Sequence, residues 1–182
     1  MAKRDNIFLV GLMGAGKTTV GRQLAKQLNL VFYDADHVLE ERTGVRIPVI
    51  FDIEGEAGFR VREEAVIHEL CALTGIVLAT GGGAVLSAAN RAALKSSGVV
   101  IYLRGSPEQL YERTRHDRNR PLLHTADPLG KLRELYTQRD PFYREVADVI
   151  VDTGRQSAAH LSRTLREKLD ALYPTQAGSS GV

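Results

Sequence analysis

The chain has one cysteine in 182 residues, Cys71. No internal disulfide can form, and the thiol, set in the apolar run Leu70-Cys71-Ala72-Leu73, reads as buried and inert. His37 and His68 read as structural or exposed residues, and no metal site of His and Cys type emerges. No apolar run approaches the length of a membrane span. The stretch behind Met1-Ala2-Lys3-Arg4-Asp5 is too short for the core of a signal peptide, so a cytoplasmic protein without a membrane partner is expected. An excess of charge of one sign is also missing. Lys and Arg number 24 against 22 Asp and Glu, and a formal charge of +2 does not suggest a nucleic-acid partner. There is no internal repeat and no linker. The length suits one well-buried α/β core rather than two ordinary domains, and 43% hydrophobic with 25% charged residues is usual for a globular protein.

What is present begins with Gly11-Leu12-Met13-Gly14-Ala15-Gly16-Lys17-Thr18-Thr19. This fits Gly, four residues, then Gly-Lys-Ser/Thr. Ile7–Val10 before it is a short, uncharged, β-branched run of the kind that forms a buried parallel strand. After it, Val20, Leu24 and Leu28 recur every fourth residue among polar ones, which predicts a helix with one buried stripe. Strand, glycine loop and helix together make a phosphate cradle. Backbone N–H groups at Gly14, Ala15 and Gly16 converge on the anion, and the helix N-terminus adds its dipole. Lys17 reaches the β- and γ-phosphates, and Thr18 offers a hydroxyl to Mg²⁺.

Further strand-like runs fall at Leu30–Tyr33, Ile76–Ala79, Val99–Leu103 and Val149–Val151, with helical patterns between. Such alternation predicts a parallel sheet covered on both faces, with every strand C-terminus, and the ligands, along one edge. The glycine loop, Asp34-Ala35-Asp36 and Gly81-Gly82-Gly83 all fall just after strands. Residues 37–71 read as a mostly helical insertion broken at Pro48 and again around Gly55 and Gly58. Residues 115–128 read as a polar surface loop, and residues 174–182 as a disordered tail.

Of the two aspartates, one suits a Mg²⁺ at the loop and the other a substrate hydroxyl, whose proton it would accept. The alternative is that Asp36 only N-caps the next helix. Three glycines in a row exceed what a tight turn needs and favour a binding loop. The basic stretch Arg104, Arg113, Arg115, Arg118 and Arg120 reads in one of three ways. It is a solvated face, an RNA contact, or a lid whose arginine closes on the transferring phosphate. Tyr111 is its sole aromatic, which disfavours the RNA contact. Arg120, stiffened by Pro121, is the best single candidate for the lid. For Arg60, near Glu63 and Glu64, a surface ion pair is the default. Arg139, before Asp140-Pro141, carries no clear signal of its own.

The segments at 11–19, 32–36, 55–60, 78–83, 120–123 and 139–143, in this order and spacing, resemble those of the shikimate kinase family, and the likeness runs from about Asn6 to about Leu172. The resemblance implies a three-layer P-loop kinase fold of nucleoside monophosphate kinase type: an α/β fold with a five-stranded parallel sheet in the order 2-3-1-4-5. It implies one unit over residues 1–173, with a substrate lobe at 37–71 and a lid at 115–128. It implies an enzyme that moves the γ-phosphate of ATP to the 3-hydroxyl of shikimate, with Mg²⁺ as cofactor; a monomer is expected, since nothing in the sequence suggests an obligate interface. Carried onto this chain, Gly14, Ala15, Gly16, Lys17, Thr18, Thr19, Arg120 and Gln156 would bind ATP. Thr18 and Asp34 would hold the metal. Asp36, Arg60, Gly82 and Arg139 would bind shikimate, and Lys17, Asp36 and Arg120 would carry catalysis. A gluconate-type or other small-molecule kinase, or a non-catalytic nucleotide-binding module, are the alternatives.

Overall fold

Ile7–Val10 forms strand β1, with all four residues buried in the middle of a five-stranded sheet. A computed structural model of the chain describes residues 5–174. The other strands are β2 (Val31–Asp34), β3 (Ile76–Ala79), β4 (Val99–Arg104) and β5 (Val149–Asp152). All pair in parallel, in the order β2-β3-β1-β4-β5. Central strands read as unbroken apolar runs because helices cover both faces. Edge strand β5 alternates buried and exposed residues instead. The tail expected at 174–182 lies, from residue 175 onward, outside the described residues.

Helix α1 (Lys17–Leu28) follows β1 and ends at Asn29, whose left-handed backbone (φ 55°) closes the last turn. Its buried stripe is Val20 and Leu24 with the small residues Gly21 and Ala25, whereas Leu28 is only partly buried. The stripe is wider than every fourth residue because α1 packs on the sheet and also on α7 (Ala158–Leu172). A Cβ on Gly21 would meet the Phe32 ring at 2.7 Å, so the glycine lets helix and sheet close together.

The segment after β2 folds as α2 (Ala35–Thr43) and α3 (Ile47–Cys71). The break between them is at Gly44, with φ 72°, and Pro48 lies in the first turn of α3, where a missing N–H is harmless. The expectation of a break at Pro48 is therefore corrected to a helix start. Gly55 does interrupt α3, with φ 71° and ψ 179°, while Gly58 is helical. Cys71 ends this helix, buried, with its thiol pushed up to about 12 by burial. Beyond β3, a 3-10 turn at Ala84–Leu86 leads to α4 (Ala88–Ser97), whose cap Ser87 accepts the Asn90 N–H. After β4 come α5 (Pro107–Thr114), started by a Ser106/Gln109 capping box, and α6 (Pro128–Val146). The loop expected at 115–128 is found between α5 and α6, but Pro128 already belongs to α6, which Asp127 caps.

Candidate active site

Gly14 and Gly16 carry the glycine loop through left-handed backbone, φ 81° and 93°, and a Cβ on Gly14 would strike Thr114 of α5 at 2.7 Å. The loop can take this shape only with glycine there. Lys17 turns back over it. Its Nζ donates to the carbonyls of Gly11 (2.6 Å) and Leu12 (2.9 Å). Burial first, then the nearby Arg120 charge, lower its pKa to about 7. A group so far from its ordinary value, at a helix N-terminus, is poised for a polyanion.

Thr18 Oγ1 donates to Asp34 Oδ2 at 2.5 Å, and the other Asp34 oxygen caps α2 by accepting the His37 N–H. The capping role considered for Asp36 therefore falls to Asp34. Asp36 stands in the first turn of α2 with its carboxyl pushed above the usual range, by burial first and by the Asp34 charge second. Oxygen donors at Thr18 and Asp34, converging beside the loop, are the hard ligands that Mg²⁺ prefers when phosphate and water complete its shell. Among the described residues no cluster of three or more His, Cys, Asp or Glu could hold a metal without such help.

Two adjoining spaces open at this sheet edge. A cavity of about 490 Å³ runs along the loop past Gly14, Gly16, Lys17, Thr18 and Thr19. An inner pocket of about 60 Å³ lies between α3, the glycine triplet and the 119–122 loop. Asp36, Gly81, Gly82 and Arg120 line both. Arg60 and Arg139 line the inner pocket from α3 and α6. A larger groove, about 640 Å³, lies between α3 and residues 83–90; it shares Arg60, Glu63 and Gly83 with the inner pocket but has no residue of the loop at 11–19.

Arg139 is 2% exposed, and its Nε and Nη1 have no hydrogen-bond partner. Leaving such donors unmet in the interior costs free energy, so the arrangement suits an anion that supplies acceptors. Arg60 is not in the surface ion pair expected by default. Its Nη1 meets Glu63, which is 2% exposed, at 2.9 Å, and its Nη2 meets the more exposed Glu56 at 3.2 Å. Burial raises the Glu63 carboxyl above its usual range, and the Arg60 charge works against that rise.

Each glycine of the triplet leaves room for charged side chains. A Cβ on Gly81 would stand 2.7 Å from Glu63 Oε2 and 3.0 Å from Asp36 Oδ1. One on Gly82 would stand 3.4 Å from Arg139 Nη1, and one on Gly83 would collide with the Arg60 guanidinium. Glu63 is a site residue that sequence reasoning treated only as an ion-pair partner. The signal for it was its i+3 spacing from Arg60, which puts both on one helix face.

Of the basic stretch, Arg104 forms a two-bond pair with Asp152, while Arg115 lies near Glu112 and Arg120 Nε near Asp117, at 3.6 and 3.2 Å. Arg113, considered from the sequence only as one of this stretch, donates to the carbonyls of Gly14 (3.1 Å) and Gly154 (2.8 Å) and so joins the glycine loop to the turn after β5. Gln156 lies exposed on that turn and does not line the loop cavity.

The shikimate kinase family model matches residues 13–170. A shikimate kinase of Thiobacillus denitrificans is 73% identical over 94% of this chain and 94% of its own length. One of Cupriavidus pinatubonensis is 62% identical over 92% of this chain and 87% of its own. The structure of a shikimate kinase from Acinetobacter baumannii, in complex with shikimate, superposes with a TM-score of 0.93 at 48% identity, covering 94% of this chain and 96% of that one. Matches of this extent and identity, on a chain with this sheet order and this loop, establish that it belongs to the shikimate kinase family.

Proposed function

We propose that the chain transfers the γ-phosphoryl group of ATP to the 3-hydroxyl of shikimate, giving shikimate 3-phosphate and ADP. The observation that carries this reading is the pairing of two spaces across Asp36 and Arg120: a loop cavity for a triphosphate, and an inner pocket with an unsatisfied guanidinium for an acid. In this reading the backbone of Gly14, Ala15 and Gly16, with Lys17, Thr18 and Thr19, holds the phosphates, and Gln156 lies beside the adenine. Arg139 and Arg60 grip the substrate carboxylate, a task for which planar, always-charged forks are suited. Gly82 meets a hydroxyl through its backbone.

Asp36 accepts the proton of the 3-hydroxyl as the oxygen bonds to the γ-phosphorus, and the bond from phosphorus to the β–γ bridging oxygen breaks, releasing ADP. Its raised pKa brings it nearer the working pH, which favours a general base. Lys17 and Arg120 neutralise charge on the transferring group. Thr18 and Asp34 would hold Mg²⁺, which supplies charge neutralisation at the β- and γ-oxygens. Residues 119–122 of the loop expected as a lid line the inner pocket, which suits a loop that closes over bound substrate. Residues 1–173 act as one unit in this reading, with 37–71 as the substrate lobe. A monomer in the cytoplasm, with no nucleic-acid or membrane partner, is part of the same proposal.

The test is ADP release coupled to NADH oxidation, with shikimate, gluconate and AMP offered as separate acceptors and the product identified by ³¹P NMR. Turnover with shikimate alone is expected. Absence of shikimate-dependent ADP release refutes the proposal.

A further inference from the structure

The three glycines at 81–83 could leave the pocket wall without a fixed shape, since each has a wide range of backbone angles. Two of their carbonyls are held within the turn. Gly81 O accepts the Ala84 N–H and Gly83 O the Leu86 N–H, both at 3.1 Å. The carbonyl of Gly82 goes elsewhere. It accepts a hydrogen bond of 2.5 Å from the hydroxyl of Tyr143, which lies 61 positions further along the chain.

Tyr143 is 0% exposed and stands one turn after Arg139 on α6. Burial pushes its hydroxyl above the ordinary tyrosine range, so the proton stays on the oxygen and is donated. The Arg139 guanidinium bears on the same hydroxyl, and its Nη1 stands above Gly82. A planar peptide fixes more than its carbonyl. With Gly82 O held toward α6, the Gly83 N–H of the same peptide points the opposite way.

We propose that Tyr143 is a positioning residue for the inner pocket: its hydroxyl locks the Gly82–Gly83 peptide to the helix that carries Arg139, so that loop backbone and guanidinium reach the substrate in one fixed relation. The proposal rests on the shikimate kinase reading above. Tyr143 does not touch substrate; it acts through Gly82 and Arg139.

Tyr102 provides the control. Its ring packs on that of Tyr143 with centroids 4.9 Å apart, and it is 1% exposed, but its hydroxyl donates to Asp140 (2.8 Å) and not to the turn. Tyr143→Phe and Tyr102→Phe each remove one oxygen from the same buried layer. In steady-state assays Tyr143→Phe is expected to raise the KM for shikimate about tenfold, the loss of one hydrogen bond, while the KM for ATP stays at the wild-type value. Tyr102→Phe is expected to leave both unchanged, whatever its effect on the melting temperature. A wild-type KM for shikimate in folded Tyr143→Phe overturns the proposal. So does an equal rise in both variants, or an equal rise for both substrates, because either is what general loosening gives.

Should Tyr143→Phe not fold, the wild-type protein still decides. The Tyr143 hydroxyl proton should be slow enough in exchange to see by NMR and should shift when shikimate is added; a signal indifferent to shikimate overturns the role. Wild-type activity separates the two readings. No phosphorylation of shikimate removes the functional proposal and this one with it, whereas an active enzyme with an unaffected Tyr143→Phe removes only the positioning role.

Discussion

Replacing Arg139 by lysine keeps a positive charge in the pocket and removes the fork. In the free protein the side chain is 2% exposed, with Nε and Nη1 unpaired, so the guanidinium has an unmet N–H on either of the two edges that can fork onto a carboxylate. A hydrogen bond to a charged group contributes about 1.5–3 kcal/mol. Lysine can retain the charge and one such bond, so the expected loss is one bond, or a rise of about 10- to 150-fold in the KM for shikimate. Lys17 and Asp36 are untouched, and kcat should stay within about threefold, as for the loss of an interaction made equally in ground and transition states. The assay is coupled ADP release with shikimate varied at saturating ATP, alongside the same titration of ATP at saturating shikimate. A companion variant, Arg139→Met, tests the other half of the reasoning. Two unmet buried donors cost the free protein on the order of 1–3 kcal/mol each, so their removal should leave the melting temperature no lower than wild type while shikimate binding is lost. An unchanged KM for shikimate in Arg139→Lys refutes the assignment. A markedly lower melting temperature in Arg139→Met refutes the claim that the free guanidinium is unsatisfied.

Asp36→Asn keeps the shape of the side chain and removes the base; kcat should fall by about 10²–10⁴ with ATP affinity retained, as read by nucleotide titration. Lys17 has a pKa lowered to about 7 from 10.5. Below about 7 the buried charge burdens the folded state in full. From about 7 to 10.5 the folded protein has lost a proton that the unfolded chain keeps, so stability rises with pH across that window relative to Lys17→Met. Phosphates should restore the charge, so calorimetry in buffers of different ionisation enthalpy should find uptake approaching one proton on ATP binding at about pH 8 and little at about pH 6. Uptake that is the same at both values counts against the depressed lysine. Gly83→Ala puts a methyl group where the Arg60 guanidinium lies, and the ion pairs to Glu63 and Glu56 resist its retreat. The KM for shikimate should rise several-fold or more with ATP binding unaltered.

Local signals were legible in the chain and tertiary ones were not. β1 and β3 stand where expected, β4 and β5 run one residue further, and β2 is shifted by one residue at both ends; the central strands were legible because a strand buried on both faces must be apolar along its length. The glycine loop was legible because its chemistry needs glycines and a lysine at fixed spacing. Pro48 was misread as a break because the same ring ends one helix and begins another, and Gly44 just before it decides which. Which aspartate caps α2 depended on where β2 stops, a matter of one residue. The pocket chemistry of Arg139 was illegible from its neighbours, since its burial comes from elements that pack on α6 from elsewhere in the chain. Family resemblance supplied what local pattern could not. The reason for three consecutive glycines emerged only from the contacts of each with Glu63, Asp36, Arg139 and Arg60.

Gly55 divides α3 between the two aromatic rings that line the inner pocket, Phe51 before it and Phe59 after, and nothing lies within 4 Å of where its Cβ would be. The backbone angles of this one residue set how the two halves of α3, and with them the packed rings of Phe51 and Phe59, meet at the acid site. Tolerance for a bulkier or narrower ring acid can therefore be altered at a position remote from phosphoryl transfer. Directed evolution toward new acceptors has a starting point at Glu54, Gly55 and Ala57, with Glu56 kept because its carboxylate pairs with Arg60 of the acid site.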